Sequence, residues 1–277
     1  MAALGAGVAL LYTARTYRLT RRGQVTDRFT KALERLGSSQ IYVRIGGILA
    51  LEQIVKDAPD QVATDAGRVL NHFLHDQAPK RTLSAVDLER AAKTGEALSD
   101  KPGADVQVAL TALTRAESRT HVDPTAPPDL IGLHLAGAYL VEADLTGAFI
   151  NRADLTHADL HLANLSGALL MDAVLIHAQL VGVALTNANL NSATLTRADL
   201  TGADLTGADL FDANLTAAVL ARVDFTGADL TGANLTDAHL WGVDLSTAKG
   251  LTQDQLHSAR TNERTLLPPN LCEPGTH

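Results

Sequence analysis

Apolar residues recur with two different periods along this 277-residue chain. From about Gln24 to Arg119 the period is helical. Val25, Phe29, Leu33 and Leu36 share one stripe, and Gly37 follows them as a C-terminal cap. Ile45, Ile48, Leu49, Leu51, Ile54 and Val55 form a second segment that stops before Pro59. Val62, Ala66, Val69, Leu70, Phe73 and Leu74 form a third, opened by Asp60 as N-cap and closed before Pro79. Shorter helices are expected over Ser84 to Lys93 and Asp105 to Glu117. Amphipathic segments with short joints predict an antiparallel helical bundle or a short stack of helix pairs. The proline-rich stretch THVDPTAPP, residues 120–128, then breaks the pattern and reads as a linker.

Beyond the linker the period becomes five, which belongs neither to a helix nor to a strand. Stepping by five from Leu135 gives 23 positions up to Leu245, all leucine except Ile150 and Phe225. Two residues before each stands alanine, with Leu133, Val183, Val223 and Val243 as exceptions. Such unbroken self-similarity marks a solenoid, in which each unit depends on its neighbours to bury its apolar face. Leucine and alanine inward with three residues outward make one short extended side and a corner. Four sides close a lap of twenty residues, and stacked laps pair at about 4.8 Å, so nearly six laps span about 27 Å.

The repeats ADLTG (143–147 and 203–207) and ANLTD (233–237) resemble those of the pentapeptide repeat proteins. That resemblance implies a mainly β fold, a right-handed quadrilateral β-helix, here preceded by a small all-α domain. The segment KGLTQDQLHSARTNERTLLPPNL, from Lys249, resembles the short helix and extended tail that cap such stacks in bacterial members. GQVTDRFTKALERLG with VRIGGILALEQIVKDAP resembles the helical domain that precedes the repeats in actinobacterial members, often behind membrane-spanning helices. The expected organisation is an apolar anchor-like helix with a basic flank (1–22), a helical domain (23–119), a linker (120–129), the β-helix (130–249), and a cap with tail (250–277).

Charge refines this picture. Residues 1–129 hold 17 Lys/Arg against 15 Asp/Glu, whereas residues 130–249 hold 4 against 13, so the repeats carry nearly all of the net charge of −8. Such a surface repels phosphates and argues against direct nucleic-acid binding. The single cysteine, Cys272, excludes an internal disulfide. Residues 1–14 carry no charge, and Arg15, Arg18, Arg21 and Arg22 follow. Two readings stand: a short membrane anchor held from the cytoplasmic side, or an apolar helix packed on the next domain. The first implies a cytoplasmic protein anchored at the inner face of the plasma membrane.

No nucleotide-binding glycine loop is present, because the glycines of the repeat fall at its corners. No cofactor is expected. His72 and His75, with Asp76, lack further ligands at a metal-site spacing. His157 and His177 are twenty apart, with Arg197 next in their column, which makes either a small pH-sensitive basic strip or a set of solvated corners. Asp144, Asp204, Asp224 and Asp244 share another column, interrupted by Asn164 and Ala184. On the outside of a filled tube these carboxylates have no pocket for acid and base work, and the chain reads as non-enzymatic. Leu162, Leu169, Met171, Val174, Ile176 and Val181 place apolar residues at outward positions, a candidate partner surface or a seat for the helical domain. Phe225 and Trp241 near one end, and Tyr139 and Phe149 near the other, read as plugs under the caps.

Two function classes follow. One is a protein-binding scaffold, a rigid rod displayed at the membrane face, whose partner is another protein or a second copy of the chain. The other is an acidic mimic of duplex DNA acting on a type II topoisomerase such as gyrase, an activity of some members of the resembled family. The broken acidic column and the capped carboxyl end favour the scaffold.

Overall fold

The computed structural model describes residues 23–57, 60–78, 84–95, 101–115 and 127–271. The anchor-like segment 1–22 and most of the linker therefore lie outside the described residues. A first helix, α1, includes residues 23–36. It is followed by α2 (Ile41–Asp57), α3 (Asp60–Gln77), α4 (Ala85–Thr94) and α5 (Ala104–Thr114). No helix among the described residues is long and apolar enough to cross a membrane.

Helices α2, α3 and α5 pack on one another, and α4 is not part of that trio. Ile48, Leu51 and Ile54 of α2, Leu70 and Leu74 of α3, and Leu110 of α5 are almost wholly buried. Arg44 fastens α2 to α5, its Nε donating to the buried Asp105 carboxylate at 2.7 Å. Charge pairing offsets much of the desolvation that a lone Asp105 would suffer there.

From Asp129 onward the chain forms laps of twenty residues. Parallel bridges link each outward residue to the one twenty further on, as in Asp144 to Asn164, Ala184, Asp204, Asp224 and Asp244. Four such columns run along the wall, beginning at Asp129, His134, Tyr139 and Asp144. Two backbone bonds per side and one per corner hold the laps together: Leu155 N donates to Val174 O at 2.7 Å, Val174 N to Ala153 O at 2.9 Å, and at the corner His157 N to Ile176 O at 2.9 Å. Each corner closes with a turn bond, such as Ala143 N to Leu140 O at 3.2 Å, and from the Leu130 corner to the Leu240 corner the third residue has positive φ. That places the turns in the type II class. Thirteen corners accept a non-glycine residue there, at φ from 53° to 59°. Tertiary pairing on both sides of the corner overrides the local cost of this conformation, about 1–2 kcal/mol per residue.

Inside the laps the leucine ladder and the alanine ladder are nearly inaccessible. The same apolar cluster continues without a break into α2, α3 and α5, so helices and wall share one core. The helices also close the open edge of the first lap. Gln107 of α5 donates from Nε2 to Tyr139 O at 2.7 Å and accepts at Oε1 from Tyr139 N at 2.9 Å. Asp144 N donates to Thr114 O at 2.6 Å. On α3, Asn71 Oδ1 accepts from Asp129 N at 3.0 Å, and His75 Nε2 donates to Asp129 O at 2.8 Å. Five backbone groups that would otherwise be left at a sheet edge are paired in this way.

At the other end the chain adds part of a further lap, with Arg260 bridged to His239 and Leu266 to Asp244. The spacings there are 21 and 22: helix α6 (Gln253–Ser258) replaces part of the lap with one residue more, and a second extra residue falls between Arg260 and Leu266. Gln255 Nε2 donates to Leu230 O and Ala233 O, both at 2.8 Å, and Leu256 is fully buried.

The proposed plugs are corrected by this register. Phe225, a centre residue, is fully buried, whereas Trp241, Tyr139 and Phe149 are 46%, 59% and 37% exposed. Trp241 follows a centre and the other two precede one, so all three point outward.

Candidate functional site

The six outward apolar residues do not make one exposed surface. Val174 and Ile176 are 7% and 0% exposed, because α4 sits on them and forms a small separate cluster with Leu88 and Ala91. Covering them contributes on the order of 1.5–3 kcal/mol for each side chain fully buried. Leu162 lies on a different corner, 61% exposed and folded over Gly182, with Val181 half-exposed beside it. Leu169 and Met171 belong to the Asp129 column and its corner, where they are 37% and 43% exposed.

Around Leu169 and Met171 the register gathers two more exposed residues. Phe149 is the bridge partner of Leu169 one lap earlier, and Ile131 lies forty residues before Met171 in the same corner row. Both were legible from the lap of twenty, had outward aromatics been placed by register. The Met171 amide is anchored by Asn151 Oδ1 at 2.9 Å, which fixes the corner that carries its side chain.

Helix α4 ends against the histidine column. Its start is fixed by a capping box between Ser84 and Asp87, and its end by Gly95 at φ 70°. His157 Nε2 donates to the Gly95 carbonyl at 2.8 Å. The His157 and His177 rings stack with centroids 5.0 Å apart and planes 3° from parallel. His177 Nε2 is buried without a hydrogen-bond partner among the described residues. Burial first, then the charges of His157 and Arg197, hold the His177 imidazole below its ordinary range. Beyond this contact, α4 and the wall enclose a groove of about 510 Å³ lined by Leu88, Ala92, Thr196, Arg197 and Thr216 among others.

The aspartate column is locked by local turns. Asp144, Asp204, Asp224 and Asp244 each accept at Oδ1 from the amide two residues on, at 2.9–3.1 Å. Asp204 also accepts from the Thr186 hydroxyl one lap back, at 2.9 Å. Its carboxyl lies below the usual range, chiefly through the Thr206 hydroxyl, and Asp244 does so through the Ser246 hydroxyl. These groups stay ionised and are committed to the backbone. Of the other histidine pair, His75 is committed to capping the first lap, and the described residues contain no cluster suited to a metal ion.

The family model for pentapeptide repeats matches eight copies within residues 134–247. No curated protein matches the chain. Among solved structures, HetL, a pentapeptide repeat protein involved in heterocyst differentiation regulation in the cyanobacterium Nostoc, is 30% identical; the match covers 54% of this chain and 78% of HetL, with a TM-score of 0.43. Rfr23, a pentapeptide repeat protein from the cyanobacterium Cyanothece, is 31% identical over 45% of this chain and 64% of its own, with a TM-score of 0.23. QnrB1, a plasmid-mediated fluoroquinolone resistance protein, is 17% identical over 52% and 77%, with a TM-score of 0.28. By its unbroken fives, its twenty-residue laps and the matched repeats, the chain belongs to the pentapeptide repeat family and folds as a right-handed β-helix behind an N-terminal helical region.

Proposed function

We propose that this chain is a non-enzymatic protein-binding scaffold, a four-sided rod that presents Ile131, Phe149, Leu169 and Met171 to a protein partner. One observation carries this reading. Elsewhere on the wall the outward positions are mostly Asp, Asn, Thr and Ser, and here four large apolar side chains stay exposed on neighbouring laps at places the core does not need. Tyr139, Leu162, Phe211 and Trp241 are exposed elsewhere on the wall, but Ile131, Phe149, Leu169 and Met171 fall together in one column and its corner row, and a grouped patch of this kind marks a contact site. The acidic laps around it would repel nucleic acid and attract a partner with a basic rim. Display at the cytoplasmic face of a membrane through residues 1–22 belongs to the same proposal.

Affinity capture from native membranes tests it. The double variant Leu169→Asp, Met171→Asp should lose the principal partner retained by the intact chain, while its circular dichroism is unchanged. Retrieval of the same partner in the same yield would sink the contact surface.

A DNA-mimic reading draws on Asp204, Asp224 and Asp244, three aspartates on consecutive laps. The helical cap and α6 cover both ends of the rod, which leaves no free end for pairing two rods into a longer duplex-like surface. A supercoiling assay with purified gyrase separates the readings, and the scaffold predicts no inhibition at high micromolar protein.

A further inference from the structure

Helix α4 is held differently from its neighbours. It stands apart from the packed trio of α2, α3 and α5 and rests on the wall of the β-helix. Its apolar grip consists of Leu88 and Ala91 on Val174 and Ile176. At its carboxyl end His157 donates a hydrogen bond to the Gly95 carbonyl. Behind His157 lies His177, stacked ring on ring, with its Nε2 sealed under Gly95 and unpaired among the described residues.

We propose that α4 is an acid-released strap: a proton on His177, stacked behind His157, lifts it from the wall and uncovers Val174 and Ile176. The argument is electrostatic and follows the column. Along this corner row the Lys101 side chain lies over Gly137, His157 and His177 follow, and Arg197 comes next. From α4 itself the nearby ions are Lys93 and Glu89, which pair with each other at 2.5 Å, and Arg90, which pairs with Asp87. Neither acid of the helix is thus free to compensate a new cation beneath it.

A proton on His157 alone leaves its bond to Gly95 intact, because the charged ring still donates and the helix end favours a cation. A proton on His177 is different. It places a charge against the face of His157, beside Arg197, at a buried Nε2 with no hydrogen-bond acceptor among the described residues. Lifting α4 returns that nitrogen to solvent. The sign follows from linkage: the docked state holds His177 below its free value, so docking is at full strength above about pH 6.5 and weakens as the pH falls from there. One proton taken up on release raises the released fraction by up to about tenfold per pH unit. The inference holds whether or not the apolar patch binds a protein.

Amide hydrogen exchange on the full chain tests it, with α5 as the internal reference for global opening. After correction for intrinsic rates, protection of residues 85–95 relative to α5 should be constant from pH 8 to about 6.5, then fall by up to about tenfold per unit below it. In His177→Phe, which stacks but does not titrate, that fall should disappear. A constant ratio down to pH 5 in the wild-type chain overturns the proposal, as does an equal fall in His177→Phe. Should His177→Phe not fold, nuclear magnetic resonance of the His177 imidazole in the wild-type chain decides instead. A His177 midpoint below about 6.5, with α4 protection beginning to fall near 6.5, supports the strap, and a midpoint at or above the free value refutes it.

Discussion

At the residue scale the wall depends on corners that most side chains dislike. Ala217 sits at φ 55° without glycine's freedom and without the side-chain amide that lets asparagine tolerate the conformation. Ala217→Gly should therefore stabilise the protein by about 1 kcal/mol or slightly less, since the relieved strain exceeds the entropy that glycine loses. Chemical denaturation reads this directly, and a loss of stability would show that the corner imposes no strain. Acid acts on other residues. Asp204, Asp229 and Asp244 are held below the usual carboxylate range, in each case first by the hydroxyl two residues on. Depressed folded values stabilise the protein above the unfolded value, about 3.9, and that contribution is lost as the pH falls from there through the folded values. Global unfolding monitored by circular dichroism should thus become easier below about pH 4. The proposed release of α4, which sets in below about pH 6.5, would be a separate and local event.

At the element scale, stability is that of stacked units linked by nearest-neighbour interfaces. Leu195 is fully buried between Leu175 and Leu215 of the adjoining laps. Leu195→Ala should cost about 3–5 kcal/mol, because backbone pairing on both sides prevents the laps from collapsing into the cavity. A cost below about 1 kcal/mol would mean that the ladder repacks freely. The caps are elements of the same kind. Gln107 supplies Tyr139 with both hydrogen bonds that a preceding lap would have supplied. Gln107→Ala should destabilise by roughly 1 kcal/mol, since water can reach the freed groups. Its amide exchange should rise first at Tyr139, and unchanged exchange there would remove Gln107 from the cap.

At the scale of the whole molecule, the β-helix was legible because one period runs unbroken from Leu135 to Leu245. That period assigns every residue to the inside or the outside. Where the register was followed, as for the Asp144 column and for His157 beside His177, the structure agrees. Where another intuition displaced it, as in treating Trp241, Tyr139 and Phe149 as end plugs, it failed. The fate of Val174 and Ile176 could not be decided from spacing, because the side chains that cover them, Leu88 and Ala91, come from a helix more than eighty residues earlier. Gln107 gave no signal at all. A polar residue on a short helix looks solvated until the unpaired edge it serves has a position in space.

All of this depends on side chains twenty residues apart being neighbours along one wall. Cysteine pairs in a Cys272→Ser background measure that directly with a short bifunctional thiol reagent such as dibromobimane. Thr206→Cys with Thr226→Cys places two thiols on adjacent laps, about 4.8 Å apart at the backbone, and should cross-link quickly. Thr206→Cys with Thr216→Cys places them on opposite walls and should not. Efficient linkage of the ten-residue pair, with none of the twenty-residue pair, would contradict the account.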